Sequence, residues 1–94
     1  MLSQLPVDIK KMSKDRIDKE VLRLGIIAEL DAVSLYEQMA AMTENNDIKK
    51  ILLEIAKEEK THVGEFQALL LKLDKEQEEE LEEGRKEVEK ELGK

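Results

Sequence analysis

The 94-residue sequence has no cysteine and no tryptophan, and only one proline, one tyrosine, one phenylalanine and four glycines. Without cysteine there is no disulfide framework, no thiolate zinc or iron–sulfur site and no thiol nucleophile. Any metal must be held by carboxylates, the single histidine or backbone oxygen. So few turn formers exclude an all-β sandwich or barrel, which needs a turn signal about every 8–12 residues. No apolar run approaches the ~18 residues of a membrane span. Residues 1–13 also lack the apolar core of a secretion signal. Positive charge is in deficit: 16 basic against 23 acidic residues give a net charge of −7. That is the wrong sign for nucleic acid, which wants clustered Lys and Arg.

What is there is helical in kind. Charged residues make up 41% and hydrophobic residues 40% of the chain, with an Ala/Glu/Lys/Leu bias that points to long helices. The apolar content is too high and too patterned for disorder. The length allows one domain, and a domain this small buries so little surface that it is marginal on its own.

Residues 1–13 contain Pro6 and no sustained period, and read as an extended lead-in. From Lys14 to about Met42 apolar residues recur at helical spacing, as in Ile17, Val21, Leu24 and Ala28. Ser13 or Asp15 can cap the start. Thr43-Glu44-Asn45-Asn46 is the turn, where adjacent Asn residues tolerate a left-handed backbone and cap well. Asn46 or Asp47 opens a second helix, to about Leu73. Two helices of this length on a short polar turn form an antiparallel hairpin, spanning residues 14–73. Asp74 with Gln77 fits a capping box and opens a short acidic C-terminal helix within residues 74–94. Residues 75–94 carry nine acids and five bases, with a thin stripe of Leu81, Val88 and Leu92. That stripe reads either as a solvated tail or as a docking helix used in assembly. Met1, Met12, Met39 and Met42 read as core filler.

Helical-wheel placement singles out two acids. With Glu29 at zero, Leu22, Gly25, Ile26, Val33, Tyr36 and Ala40 lie within roughly 60° of it. With Glu59 at zero, so do Ile48, Leu52, Ile55, Ala56, Val63, Phe66, Leu70 and Leu73, with His62 at the margin. Glu54, Glu58 and Glu65 lie further round, as ordinary surface carboxylates. A buried ionised carboxylate costs several kcal/mol unless it is paired or bound to metal. No basic residue shares these faces, since Lys57 and Lys60 point away. Cation coordination supplies the compensation. Glu-x-x-His on one helix places both side chains over one ion. With a Glu from the other helix it is half the ligand set of a di-iron carboxylate bundle. The expected solution is a two-fold dimer of hairpins forming a four-helix bundle, each chain supplying Glu29, Glu59 and His62. Tyr36, two turns from Glu29, either donates a hydrogen bond to a ligand or fills the core. Asp31, on the other side of its helix, is by default a surface charge.

The segments AELDAVSLYEQM (28–39) and ILLEIAKEEKTHVGEFQALLLKLD (51–74) closely resemble the encapsulated ferritins of encapsulin nanocompartments. The likeness covers roughly residues 20–92. In layout it is nearest to the versions fused to archaeal encapsulin shells. The resemblance implies an all-α ferroxidase, an Fe(II):oxygen oxidoreductase. Its catalytic and iron ligands would be Glu29, Glu59 and His62, with Tyr36 beside them and the di-iron centre shared between two chains. It implies a homodecamer built as a pentamer of dimers. It also implies a cytoplasmic location, inside the lumen of an encapsulin shell, and iron mineralisation there. Three departures stand out. Ala28 replaces one acid of the family's outer site where metal enters, leaving Asp31 as its other member. Leu35 stands where some members have Trp. The chain ends at Leu92-Gly93-Lys94 without the docking peptide of free-standing cargo proteins, as expected of a shortened chain or a domain without its shell portion. Mn or Zn could occupy the same ligands. Rival readings are a di-metal protein of rubrerythrin or peroxidase type, and a non-catalytic assembly module whose acids tune register.

Overall fold

The computed structural model describes residues 12–94. The lead-in therefore lies outside the described residues except for Met12 and Ser13, and so does Met1. Helix α1 runs Lys14–Met42 and starts on Ser13, whose backbone is extended and whose side-chain oxygen accepts from the Arg16 amide at 3.2 Å. This supplies one of the amides that a helix start leaves unpaired. Asp15 lies in the first turn instead of at the cap.

The turn is shorter than its composition suggests. The Thr43 hydroxyl accepts from the Asn45 amide at 3.2 Å, and Asn45 Oδ1 accepts from the Asp47 and Ile48 amides, both at 3.0 Å. Asn45 is thus the cap, and α2 runs Asn46–Leu73. The left-handed asparagine expected here does not occur. Asn45 sits at φ −79°, ψ 114°, and among the described residues only Gly93 has positive φ. A capping side chain achieves the reversal while the cap backbone stays extended.

Helix α3 runs Lys75–Leu92 after a single junction residue, Asp74. Asp74 accepts from the Gln77 amide at 3.1 Å. Only half of the expected capping box forms, because the Asp74 amide already donates to the Leu70 carbonyl at 2.9 Å. Arg23 of α1 reaches Asp74 Oδ2 at 3.0 Å and ties the corner to the hairpin. Gln77 and Leu81 flank a cavity with Arg23, Ile26, Ile27 and Leu70, whereas Val88 and Leu92 stay exposed. Gly93, at φ 72°, lets its own amide and that of Lys94 close on the Glu89 carbonyl.

The described residues are all-α, as expected, but the core is thin. Val33, Ala40, Ala56 and Leu70 are the buried apolar residues among them, all on the α1–α2 seam. Met39 and Met42 are exposed, Met42 at 82%, so they are not core filler within one chain. They sit on a side of α1 turned away from the seam. The molecule measures 48 × 43 × 19 Å with a radius of gyration of 16.9 Å. A compact domain of this length would have about 12 Å. Ile48, Ile51, Leu69 and Leu73 also lie open to solvent. These apolar side chains, spread along α2, are more than the small core of one chain covers. No helix among the described residues is long and apolar enough to cross a membrane.

Candidate metal centre

The antiparallel register sets Glu29 of α1 level with His62 of α2. His62 Nδ1 lies 3.4 Å from Glu29 Oε2 and 3.5 Å from Glu59 Oε2. One donor atom from each of the three residues falls within 4.8 Å of the others. Glu59 and His62 reach the point together because i and i+3 share a helix face. Glu29 meets them because its face of α1 is the one turned to α2, the face that carries buried Val33 and Ala40.

The donor set fits a divalent first-row ion. Metal–ligand bonds near 2.1 Å let donors up to about 4 Å apart share one ion, and the separations from His62 Nδ1 to Glu29 and Glu59, 3.4 and 3.5 Å, lie within that reach. Two carboxylates with one imidazole suit iron, manganese or zinc, not a soft-metal site. Without an ion, a protonated Nδ1 can donate to either carboxylate; as a ligand it offers its lone pair instead.

Burial differs from the expectation. Glu29 and Glu59 are not enclosed in one chain: their side chains are 19% and 20% exposed, and His62 is 44% exposed. Glu29 and His62 border an open cavity of about 360 Å³ together with Glu65, Phe66 and Leu69. Among the described residues no lysine or arginine pairs with Glu29 or Glu59. Lys60 pairs with Glu37 at 3.2 Å, and Arg23 pairs with Asp74. Among the described residues His62 is the one cationic or polar partner recorded for either glutamate.

Tyr36 is half-buried two turns along α1, and no recorded hydrogen bond joins it to Glu29, whose partner is His62. Asp31 is exposed and apart from the triad. Glu65 and Phe66 border the same cavity but did not stand out in the sequence. The available signal was their spacing from His62, at i+3 and i+4.

Residues 20–92 match the Rubrerythrin family. The chain is 64% identical over 69 residues to a ferritin-like–encapsulin shell fusion protein of Pyrococcus furiosus, covering 73% of this chain and 20% of that protein. It is 40% identical over 68 residues to the encapsulin nanocompartment cargo protein EncC of Myxococcus xanthus, covering 72% of this chain and 52% of that protein. The chain thus spans about a fifth and about half the length of these relatives. The crystal structure of the encapsulated ferritin domain from Pyrococcus furiosus superposes with a TM-score of 0.86 at 52% identity, covering 100% of this chain and 98% of that one.

Proposed function

The chain belongs to the Rubrerythrin family, among its encapsulated ferritins, and on that premise we propose that it is a ferroxidase. The observation that carries the proposal is the meeting of Glu29, Glu59 and His62 on the open face of the hairpin. Two hairpins related by a two-fold axis bring six ligands together, and the substrate is a pair of Fe(II) ions. Glu29 and Glu59 supply hard oxygen donors that favour Fe(III) over Fe(II), which lowers the energy of the oxidised product. His62 supplies a nitrogen donor and keeps the three side chains in one arrangement. Each iron gives up one electron. Dioxygen takes the two electrons of one iron pair with two protons to leave as hydrogen peroxide; reduction to water takes four protons and the four electrons of two iron pairs. The dimers assemble into a ring of five, and Fe(III) passes to the lumen of an encapsulin shell for mineralisation. The names of the two relatives, a shell fusion protein and a nanocompartment cargo protein, support an encapsulin shell as partner and its lumen as the compartment. Asp31 marks the remaining half of an outer site where iron enters, and Tyr36 lies beside the ligands.

The test is aerobic Fe(II) oxidation by the wild type and by Glu59→Ala and His62→Ala. Both variants should fall to the background rate, and oxidation at the wild-type rate in either would refute the reading. The family match also favours a peroxidase of rubrerythrin type. That alternative predicts peroxide consumption with no net accumulation of Fe(III).

A further inference from the structure

Gly25 occupies the middle of α1, on the face turned to α2. A mid-helix glycine costs up to about 1 kcal/mol relative to alanine, so a glycine there calls for a physical reason. Gly64 and Gly84 face open space, with nothing within 4 Å of a built Cβ. Gly25 differs. A Cβ on it would lie 3.2 Å from each of three ring atoms of Phe66, Cδ1, Cδ2 and Cε1. Equal distances to atoms on both sides of the ring mean that the ring presents its face. The phenyl group lies flat on the backbone of α1, in a notch that only glycine leaves open.

The notch is one helical turn from the metal ligands on both helices. Gly25 precedes Glu29 by four residues, and Phe66 follows His62 by four. Phe66 also walls the cavity that holds Glu29 and His62. We infer that the Phe66 ring seated on Gly25 is the positioning device that sets the approach of α1 to α2 at the metal centre, and with it the meeting of Glu29 and His62. The inference rests on the metal-binding reading above and adds to it which residues hold the ligands in place. A methyl group at position 25 pushes the ring by a few tenths of an ångström. The ring must then either swing into the cavity beside His62 or spread the helices. Each movement changes the 3.4 Å separation between His62 Nδ1 and Glu29 Oε2. Metal sites feel such movements because supporting residues fix the orientation of their ligands.

Cobalt(II) titration of the full chain, followed by visible absorption, tests this alongside thermal unfolding of the metal-free protein. Gly25→Ala is compatible with folding, since alanine is the better helix former. It should weaken Co(II) binding about tenfold or more and alter the absorption spectrum. Gly25→Ala with Phe66→Leu, which replaces the flat ring by a smaller group, should recover affinity to within about threefold. A purely structural contact would move the unfolding temperature and leave affinity and spectrum alone. Wild-type affinity and spectrum in Gly25→Ala, with binding lost in Glu59→Ala, would overturn the positioning role by itself. A double variant no better than Gly25→Ala would overturn it as well. Undiminished Co(II) binding in Glu59→Ala would overturn the metal reading and this inference together.

Discussion

Stripping divalent metal should drive the paired hairpins apart, and neutralising two carboxylates should hold them together without metal. The reason is local charge. In one hairpin Glu29 and Glu59 place oxygens within 4.8 Å of each other. Like charges at that distance repel by about 1 kcal/mol in water and about 3.5 kcal/mol at an effective dielectric of about 20. Closing a partner over the open face moves the pair from the first regime toward the second. The added penalty is about 2.5 kcal/mol per hairpin, or about 5 kcal/mol per dimer, before the partner's own carboxylates are counted. Against it works the exposed apolar surface around Ile48, Leu69 and Leu73. An ion bound only by the closed pair stabilises it by about 2.7 kcal/mol at a hundredfold excess over its dissociation constant. Two ions contribute about 5.4 kcal/mol, or about four orders of magnitude in the dissociation constant of the dimer.

Sedimentation velocity with EDTA, and then with Co(II) as a probe that avoids iron turnover, measures the effect. The metal-free wild type should dissociate at concentrations where the Co(II)-loaded protein stays assembled. Glu29→Gln with Glu59→Gln keeps the shape and removes the charge. This double variant should assemble equally well with and without metal, and more tightly than the metal-free wild type by nearly four orders of magnitude, roughly 5 kcal/mol. Added salt should narrow that gap by screening. Self-association indifferent to both EDTA and Co(II) would refute the reasoning. So would a double variant that falls apart like the metal-free wild type.

Three further outcomes test the frame that holds the site. Leu70→Ala, at a buried seam position, should cost about 2–5 kcal/mol in urea unfolding, a large share of the stability of a chain with so small a core. Asn45→Ala removes the acceptor of two amides and should cost about 1 kcal/mol in the same assay, while Asn45→Ser should cost less. In α3 the Arg85 guanidinium, hydrogen-bonded to Glu82, holds the Glu82 carboxyl below its ordinary range. A depressed folded-state value means that the stabilisation is present above the unfolded pKa and is lost as pH falls through the folded one. Hydrogen exchange of α3 amides should show that loss on acidification in the wild type but not in Glu82→Gln, and high salt should remove the difference, because the pair is exposed.

Helix limits were legible because the caps carry their own chemistry. The side chains of Ser13, Asn45 and Asp74 accept hydrogen bonds from backbone amides of the first turn that follows each. The triad was legible because the i, i+3 spacing and a hairpin together leave Glu29 and His62 little choice of neighbour. Exposure was not legible. A helical wheel gives a direction and says nothing about how many other helices lie in that direction. Met39 and Met42 read as core and stand in solvent, and Glu29 and Glu59 read as enclosed and are open on one side. The seating of Phe66 on Gly25 was hidden for a related reason. It depends on the distance between helices, which the sequence of either helix does not encode alone.

The treatment of three acids separates structural charge from ligand charge. Asp74 has a side chain 14% exposed, and the fold surrounds it with Arg23 at 3.0 Å and the Gln77 amide at 3.1 Å. Its carboxylate is compensated inside one chain and serves the corner between α2 and α3. Glu29 and Glu59 are almost as enclosed, yet their recorded partner is a shared histidine at 3.4 and 3.5 Å, beyond good hydrogen-bond length. Among the described residues a guanidinium pairs with Asp74, and no lysine or arginine pairs with Glu29 or Glu59. Desolvating them by closing a second hairpin is unfavourable until positive charge arrives from outside. The open face lets water solvate the two carboxylates in the free chain. Under the ferroxidase reading, assembly and iron binding are one equilibrium, and a small core within each chain is what keeps that equilibrium responsive to iron.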